Sequence, residues 1–334
     1  MTQNKPAVVV SVNVAPDLLA LIEQQCEVHR VDVGQRPEQA LPPPVLQRIG
    51  GLLCTLRTAA DAELFRALPA LKVVSNMAVG YDNVDVEAAT REGVLVCNTP
   101  EVLDAAVADI GFGLVLCLGR RLVELDRFTR DGRWLRGAPP YGWDLAGKTL
   151  GLLGMGRIGR LVAQRARAFG MEVVYHNRSR DAASEAAGLA RYVDRNTLFT
   201  GSDFVSVHVP LTEATRHSVG ASEFARMKKT AYVINTSRGA VLDEAALVAA
   251  LQAGTIAGAG LDVMTKEPLD TASPLIGMDN VVLLPHVGSA THETRRAMIE
   301  LAVHNLLDAV RGDRPRAMVN PAVWPQLRQG KAHA

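Results

Sequence analysis

The feature that most constrains the fold is a glycine motif between a short apolar segment and a helix-period segment. Residues 149–159 read TLGLLGMGRIG, with the spacing G-x-G-x-x-G, and Gly170 stops the helical pattern that follows. In a strand–turn–helix unit, the first glycine permits a tight turn, the second lets backbone approach a diphosphate, and the third lets helix and strand pack closely. The motif therefore predicts a dinucleotide site at a helix N-terminus, with cofactor contacts from Gly154, Gly156, Arg157, Ile158 and Gly159.

Apolar segments and helix-period segments alternate along most of the 334-residue chain. This pattern is typical of α/β proteins, in which helices cover parallel sheets. Strands are predicted at 7–12, 27–31, 51–54, 72–75, 94–97, 149–153, 172–176, 204–208, 231–235, 259–262 and 281–284. Helices are predicted at 16–25, 61–68, 84–92, 102–130 and 291–310, with a loop at 132–144 and a mobile, proline-rich tail. The last helix has no sheet of its own, and the N-terminal block is one option for its docking.

Composition argues against several classes of partner. The net charge is +1 without a basic stripe, so no nucleic-acid partner is expected. No apolar stretch is long enough to span a bilayer, and the start does not resemble a signal peptide, so no membrane partner is expected. Cys26, Cys54, Cys97 and Cys117 stand singly, without a CxxC pair or a His/Cys cluster. We predict buried free thiols, no metal site and a cytoplasmic protein.

The end of the next predicted strand indicates which dinucleotide is bound. An NAD site has an acidic residue here, which binds the ribose 2′-hydroxyl. In its place the sequence has Asn177, Arg178, Ser179 and Arg180. Guanidinium groups favour a 2′-phosphate through charge-assisted hydrogen bonds, although such arginines are often only solvated surface charges. Because the acid is missing, we predict NADP(H), bound by these four residues.

Three predicted strands end in segments that carry charged or titratable side chains. The first segment has Arg238, the second has Asp262 and Glu267, and the third has His286. Ligands bind at the carboxyl ends of strands in open parallel sheets, so these side chains are expected to share a site. Taken singly, an arginine after a strand is usually a surface charge, a histidine after proline is often structural, and a Glu-Pro pair is common in loops. Together, after a dinucleotide motif, they favour catalysis.

The residue types suit the reduction of a 2-keto acid. The planar fork of Arg238 can hold carboxylate and carbonyl oxygens, and an imidazole such as His286 can deliver a proton near neutral pH. Glu267 would orient this ring and favour its charged form. Asp262 would accept a hydrogen bond from the nicotinamide carboxamide. The predicted catalytic set is therefore Arg238, Glu267 and His286.

The chain resembles the D-isomer-specific 2-hydroxyacid dehydrogenases over nearly its full length, most closely the bacterial glyoxylate/hydroxypyruvate reductases that also act as 2-ketogluconate reductases. The segments that carry the resemblance are 75–83, 154–159, 208–212, 235–239, 260–268 and 281–295. It implies the same catalytic set, a substrate carboxylate held by the backbone amides of Val79 and Gly80, and a cofactor lined by Val209, Pro210, Thr215 and Thr236. The loop at 177–180 departs from the acid of the NAD-using members.

The resemblance also implies an architecture. Two Rossmann-like or flavodoxin-like domains with parallel sheets are expected, with a cleft between them. Residues 1–100 plus 290–334 would form the substrate domain, and residues 101–289 the NADP-binding domain. The segment from about 101 to 145 would make a homodimer, in which Trp134 or Trp143 reaches a neighbouring pocket.

Two classes of function follow. The first is NADPH-dependent reduction of glyoxylate, hydroxypyruvate or the longer 2-keto-D-gluconate to D-2-hydroxy acids, with His286 as proton donor. The alternative is a nucleotide-sensing, corepressor-like binding protein of the same fold, which would not need an intact Arg, Glu and His set. Formate dehydrogenation is disfavoured because Glu267 occupies the position of the histidine's partner.

Overall fold

The computed structural model describes residues 5–329. Strands and helices alternate in the N-terminal part, as the sequence pattern predicts. Helices here start at residues suited to a first turn: Pro16 leads the first long helix, and the Asp61 carboxylate accepts from the Glu63 and Leu64 amides. The elements are β1 (Ala7–Val10), α1 (Pro16–Gln25), β2 (Glu27–Arg30), α2 (Pro37–Ala40), α3 (Pro43–Leu46), β3 (Ile49–Cys54), α4 (Ala62–Ala67), β4 (Val73–Asn76), α5 (Val86–Arg91) and β5 (Leu95–Cys97).

The middle of the chain holds a second series of alternating elements. These are α6 (Asp104–Gly119), α7 (Leu122–Arg130), β6 (Thr149–Leu153), α8 (Arg157–Ala168), β7 (Glu172–His176), α9 (Ala182–Ala186), β8 (Arg191–Tyr192), α10 (Arg195–Gly201), β9 (Phe204–Val207), α11 (Ala221–Arg226), β10 (Tyr232–Asn235), α12 (Glu244–Gln252), β11 (Gly258–Leu261) and β12 (Val281–Leu283). Short 3-10 helices cover Arg133–Leu135, Gly239–Val241 and Pro274–Gly277.

The single long helix predicted at 102–130 is wrong, because the chain forms α6 and α7 instead. Arg121 adopts a left-handed conformation with φ 55°, which interrupts the helix after Gly119. A Cβ at Gly119 would lie 2.7 Å from the Leu145 side chain, so the helix ends where it packs against a neighbouring loop. The carbonyl of Gly119 accepts instead from the Trp143 amide, at 2.7 Å.

The C-terminal part contains α13 (His292–Arg311), a 3-10 helix (Pro321–Val323) and α14 (Trp324–Gln329). The prediction of a mobile tail is wrong for the described residues. Asn320 accepts from the Val96 amide at 2.8 Å and donates to the Val94 carbonyl at 2.9 Å, so the tail is bound to β5. Val323 and Trp324 are buried in the adjoining core. Residues 330–334 of the predicted tail lie outside the described residues.

Contacts divide the chain into two compact units, residues 1–103 with 291–334 and residues 104–290. In the first unit the parallel sheet has the order β2-β1-β3-β4-β5, which is the flavodoxin-like order. Val8 and Val10 face a core shared with α13, and Val9 faces the core on the other side. Strands buried on both faces explain why β1 is continuously apolar.

The second unit has a seven-stranded parallel sheet with the order β12-β11-β10-β9-β6-β7-β8. Six of these strands follow the 3-2-1-4-5-6 order of dinucleotide-binding sheets, and β12 extends it. The predicted α/β fold class is thus confirmed. Cys26, Cys54 and Cys97 are buried free thiols, whereas Cys117, also free, is only partly buried. No helix within residues 5–329 is long and apolar enough to cross a membrane.

Candidate active site

The glycine turn follows β6 and has the geometry that its motif predicts. Gly154 has φ 104°, and a Cβ there would lie 2.8 Å from the carbonyl carbon of His208. A Cβ at Gly159 would approach the Gly154 oxygen to 2.5 Å. These two positions therefore require glycine for packing. Gly156 differs, because a Cβ there would meet nothing within 4 Å, which leaves its backbone open to a ligand.

Helix α8 begins directly after Gly156, which provides no side-chain cap. The first-turn amides of such a helix attract anions, so this end fits a diphosphate. Ile158 packs against the core, which leaves its backbone amide as the group a ligand could use. Arg157 extends along the surface and its Nε lies 2.8 Å from Oδ2 of Asp104.

Two further loops border this turn. The Thr215 hydroxyl donates to the Pro210 carbonyl at 2.6 Å and accepts from the Thr212 amide at 2.8 Å, which holds the loop after Val209. The Thr236 hydroxyl is buried without a hydrogen-bond partner among residues 5–329. An orphaned hydroxyl of this kind fits a site that a polar ligand completes.

His208 precedes this loop and packs against the glycine turn. Its Nε2 lies 2.9 Å from the Ser206 hydroxyl. Burial lowers the pKa of His208 to about 4, so the ring is neutral at physiological pH. His208 therefore places no charge beside the turn.

The loop after β7 contains the four residues predicted to select NADP(H). Asn177 Oδ1 accepts from the Met155 amide at 2.7 Å, so this side chain also holds the glycine turn. Arg180 is paired with Glu185 and lies 5.5 Å from the centroid of the Tyr192 ring. Arg178 and Ser179 are exposed, and Arg178 has no ion pair with any of residues 5–329. The two arginines therefore differ in availability.

The segment that carries Arg238 lies against the loop after β11. A Cβ at Gly239 would fall 1.9 Å from the Met264 carbonyl carbon, so the two backbones touch at a point where no larger residue fits. Arg238 Nη1 donates to the Ser237 carbonyl at 2.8 Å. The charge of Arg238 also helps to lower the pKa of Glu267. The structure thus brings the predicted arginine and glutamate to one side of the sheet.

His286 and Glu267 form a hydrogen-bonded pair. Nδ1 of His286 lies 2.7 Å from Oε2 of Glu267, and the other carboxylate oxygen accepts from the Met264 amide at 3.1 Å. Burial acts to raise the pKa of Glu267, but the hydrogen bond with His286 and its charge outweigh burial, and the pKa is lowered. Glu267 is therefore an ionised partner that fixes the ring, which leaves Nε2 for a substrate.

Asp262 holds the His286 segment in an uncommon conformation. His286 has φ 55°, a left-handed value that costs energy for a residue with a side chain. Its amide donates to the Asp262 carbonyl, and the Asp262 carboxylate accepts from Val287 at 2.7 Å and Gly288 at 2.8 Å. Burial raises the pKa of Asp262 although these amides oppose it. The hydrogen bond that Asp262 would accept from the nicotinamide carboxamide stays a prediction.

Val79 and Gly80 lie in the other unit, in the turn after β4. The carbonyls of Ala78, Val79 and Gly80 accept from the Thr99 amide at 2.8 Å, the Asn98 side chain at 2.8 Å and the Asn76 side chain at 3.0 Å. The amides of Val79 and Gly80 have no acceptor among residues 5–329. Two neighbouring free amides suit an anion such as a carboxylate.

Sequence reasoning missed the residues that hold these loops. Asn76 and Asn98 end or follow buried strands, and this position at the carboxyl edge of a sheet was the signal that could have identified them. Glu185 gave no signal, because its pairing with Arg180 depends on how α9 folds back on the loop. Its carboxylate also accepts from the buried Tyr175 hydroxyl at 2.8 Å.

A dinucleotide-type sheet whose strands lead to an arginine and a Glu–His pair defines a nucleotide-dependent oxidoreductase. Residues 112–288 match the NAD binding domain model of the D-isomer specific 2-hydroxyacid dehydrogenases. The chain belongs to this family, which confirms the resemblance predicted from its motifs.

The similarity to known proteins extends over almost the whole chain. A glyoxylate reductase from Korarchaeum cryptofilum is 44% identical over 96% of this chain and 97% of that protein. Glyoxylate/hydroxypyruvate reductase B from Salmonella typhi is 45% identical over 95% and 98%. The crystal structure of an NADPH-dependent glyoxylate/hydroxypyruvate reductase from Sinorhizobium meliloti, in complex with NADP and malonate, has a TM-score of 0.86 at 37% identity and covers 96% of this chain and 98% of its own.

Proposed function

We propose that the protein reduces glyoxylate and hydroxypyruvate with NADPH to D-2-hydroxy acids, with 2-keto-D-gluconate as a longer candidate. The observation that carries this proposal is the 2.7 Å pair of His286 and Glu267 on the loops that follow a dinucleotide-type sheet. Relatives at 44–45% identity, a glyoxylate reductase and a glyoxylate/hydroxypyruvate reductase, support the same substrates.

The chain's own residues suit each task of the reaction. Bound NADPH would supply the hydride. Arg238 would hold the carboxylate and the carbonyl oxygen, and the free amides of Val79 and Gly80 would bind the carboxylate. His286 would donate a proton from Nε2 to the carbonyl oxygen, because Glu267 occupies its other nitrogen. Ionised Glu267 would stabilise the charged ring before transfer.

The cofactor preference rests on the loop after β7. Residues 177–180 include no carboxylate that would repel a 2′-phosphate, and the Asp181 carboxylate that follows is paired with Arg160. Arg178 is an exposed guanidinium without an ion pair among the described residues. A relative that is 37% identical was solved in complex with NADP. Residues 101–289 would bind this cofactor, and residues 1–100 with 290–334 would bind the substrate. The four free cysteines support a cytoplasmic location.

Homodimer formation is part of the proposal. Five large apolar side chains between residues 122 and 143 are exposed: Leu122, Trp134, Leu135, Tyr141 and Trp143. Trp143 lies beside Lys148 of its own chain, whose Nζ is 5.3 Å from the ring centroid. Trp134 has no such cation partner among residues 5–329, and it is the tryptophan we propose to reach a neighbouring subunit.

Steady-state oxidation of NADPH and NADH with glyoxylate, hydroxypyruvate and 2-keto-D-gluconate tests the function. We expect turnover of at least one substrate and a strong preference for NADPH. Arg238→Gln should abolish turnover while leaving the NADPH dissociation constant nearly unchanged, because its role is to hold the substrate. Equal loss of NADPH binding would contradict that role. Nucleotide binding without turnover of any keto acid would favour the sensor alternative.

A further inference from the structure

Two adjacent arginines at the start of α13, Arg295 and Arg296, line one cavity but differ in their electrostatic partners. Arg296 Nη1 lies 2.9 Å from Oδ1 of Asp17, and Nε lies 2.5 Å from Oε1 of Glu300. The side chain of Arg295 has no hydrogen bond or ion pair with any of residues 5–329. Arg295 is an exposed residue, and the partial burial of its guanidinium against the cavity walls lowers its pKa. A bound anion would compensate this charge.

The cavity lies at the point of the first sheet where ligands are expected. In a flavodoxin-like sheet, ligands bind at the carboxyl ends of the strands, between β1 and β3. Val12 follows β1, Thr55 follows β3 and Met77 follows β4, and all three line the cavity. Its volume of about 430 Å³ is within the usual range for small-molecule sites.

The turn proposed to hold the substrate carboxylate starts at the cavity wall. Met77 lines the cavity, and the free amides of Val79 and Gly80 follow two and three residues later. The edge of this sheet therefore has two groups that suit anions, the amides and Arg295. The walls around Arg295 are mainly apolar, with Val12, Ala15, Val33, Met77 and Ile299 among them.

We propose that the cavity receives the far end of a 2-keto acid that carries a second anionic group, which Arg295 binds. This inference rests on the proposed function, because it assumes that the amides of Val79 and Gly80 hold the first carboxylate. Apolar walls suit a chain of methylene groups and would leave the hydroxyls of a sugar acid without partners. Beyond glyoxylate and hydroxypyruvate, the site would thus accept a 2-keto dicarboxylic acid, or a 2-keto acid that ends in a phosphonate.

Matched substrates test the role of the second charge. The probes are 2-oxoglutarate and 2-oxoadipate, paired with the singly charged 2-oxopentanoate and 2-oxohexanoate of the same chain lengths. We expect kcat/KM to favour the doubly charged member by about tenfold or more in the wild type, since charge-assisted hydrogen bonds are strong. Arg295→Gln should remove this preference, and Arg295→Lys should keep part of it. A terminal phosphonate analogue of 2-oxoadipate distinguishes the two anions.

Arg311→Gln is the control, because Arg311 lies at the other end of α13 and pairs with Asp313. It should leave the ratio of the two kcat/KM values at the wild-type value. A ratio that is unchanged in Arg295→Gln would overturn the inference, as would a wild type without any preference for the second charge. A preference for 2-keto-D-gluconate over the dicarboxylic acids that Arg295→Gln leaves intact would also overturn it.

Failure of the proposed function gives a different result. The wild type would then reduce none of these acids, including glyoxylate. Binding of glutarate, measured by calorimetry, still decides the role of the cavity in that case. About tenfold weaker binding to Arg295→Gln than to the wild type supports the inference, and equal or absent binding overturns it.

Discussion

Arg178 and Arg180 stand two positions apart in one loop, but among residues 5–329 only Arg180 has an acidic partner, Glu185. A guanidinium already paired with a carboxylate gains less from a phosphate than an unpaired one does. Arg178→Ala should therefore weaken NADPH binding by about 10–100-fold, as expected for loss of a charged hydrogen bond worth about 1.5–3 kcal/mol. Arg180→Ala should weaken it by about threefold or less. Calorimetric titration of both variants with NADPH measures the difference.

NADH provides the control for these arginine variants, because it lacks the 2′-phosphate. Neither substitution should change NADH affinity. Equal losses of NADPH affinity in the two variants would show that Arg180 leaves Glu185 for the ligand, and a loss of NADH affinity would indicate damage to the loop.

Glu267→Gln keeps the size of the side chain and removes its charge. The lowered pKa of Glu267 means that the carboxylate is ionised at neutral pH and stabilises the protonated ring of His286. Without that charge, the pair no longer offsets the positive charge that the ring carries before proton transfer. The alkaline limb of kcat/KM for keto-acid reduction should therefore move to lower pH, with a fall of about tenfold or more at pH 8. A pH profile with saturating NADPH measures both effects.

Glu244→Gln is a matched control for this change. The Glu244 carboxylate, in α12, accepts at 2.9 Å from the amide of Thr265, which lies in the same loop as Glu267. Glu244 makes no hydrogen bond to His286. Its profile should keep the wild-type limbs. An alkaline limb that stays in place in Glu267→Gln would rule out the electrostatic role of this carboxylate.

At the scale of elements, the contact between the loops after β10 and β11 depends on Gly239. A Cβ there would overlap the backbone of Met264, so Gly239→Ala must displace one loop. We expect a loss of about 3 kcal/mol in the free energy of unfolding, together with loss of turnover. Gly277→Ala also changes a glycine of a 3-10 helix, but nothing lies within 4 Å of its Cβ, and its effect should stay within about 0.5 kcal/mol.

Chemical denaturation followed by circular dichroism compares these two glycine variants. Similar unfolding midpoints would mean that the loops after β10 and β11 adapt freely. The catalytic geometry would then not depend on their backbone contact.

The sequence predicted those elements whose signals are local. Strands β6 and β7 match their predicted bounds because apolar runs and the glycine motif delimit them. The break at Arg121 was missed, because the Gly119 carbonyl at the end of α6 accepts from the Trp143 amide, 24 residues later. The docked tail was missed for the same reason. Asn320 bonds to Val94 and Val96, and a proline-rich segment gives no local sign of such a partner.

The candidate site shows the same limit. Arg238, Glu267 and His286 were predictable because each follows an apolar strand, where parallel sheets collect ligand-binding groups. The sequence did not predict the left-handed conformation of His286 or the hydrogen bonds that Asp262 accepts from Val287 and Gly288. They depend on the approach of two loops, which residue type alone does not encode.

At the scale of the whole molecule, the segment from Leu122 to Trp143 has exposed apolar side chains that we expect a second subunit to bury. Leu135 is 93% exposed and Tyr141 is 90% exposed, and a surface of this kind is typical of a protein interface. We expect light scattering after size-exclusion chromatography to give about twice the chain mass of 35.8 kDa. Leu135→Glu should shift the protein to the monomer, because an interface core that excludes water penalises an unpaired charge.

Ile276→Glu is the matched control for the dimer. Ile276 is also apolar and is 49% exposed, but it lies outside this segment. It should remain dimeric. A wild type that elutes as a monomer at micromolar concentration would refute the dimer. A dimeric Leu135→Glu would move the interface away from this segment. If Trp134 of one subunit completes a site on its neighbour, Leu135→Glu should lose turnover as it loses the dimer, while its affinity for NADPH stays near that of the wild type.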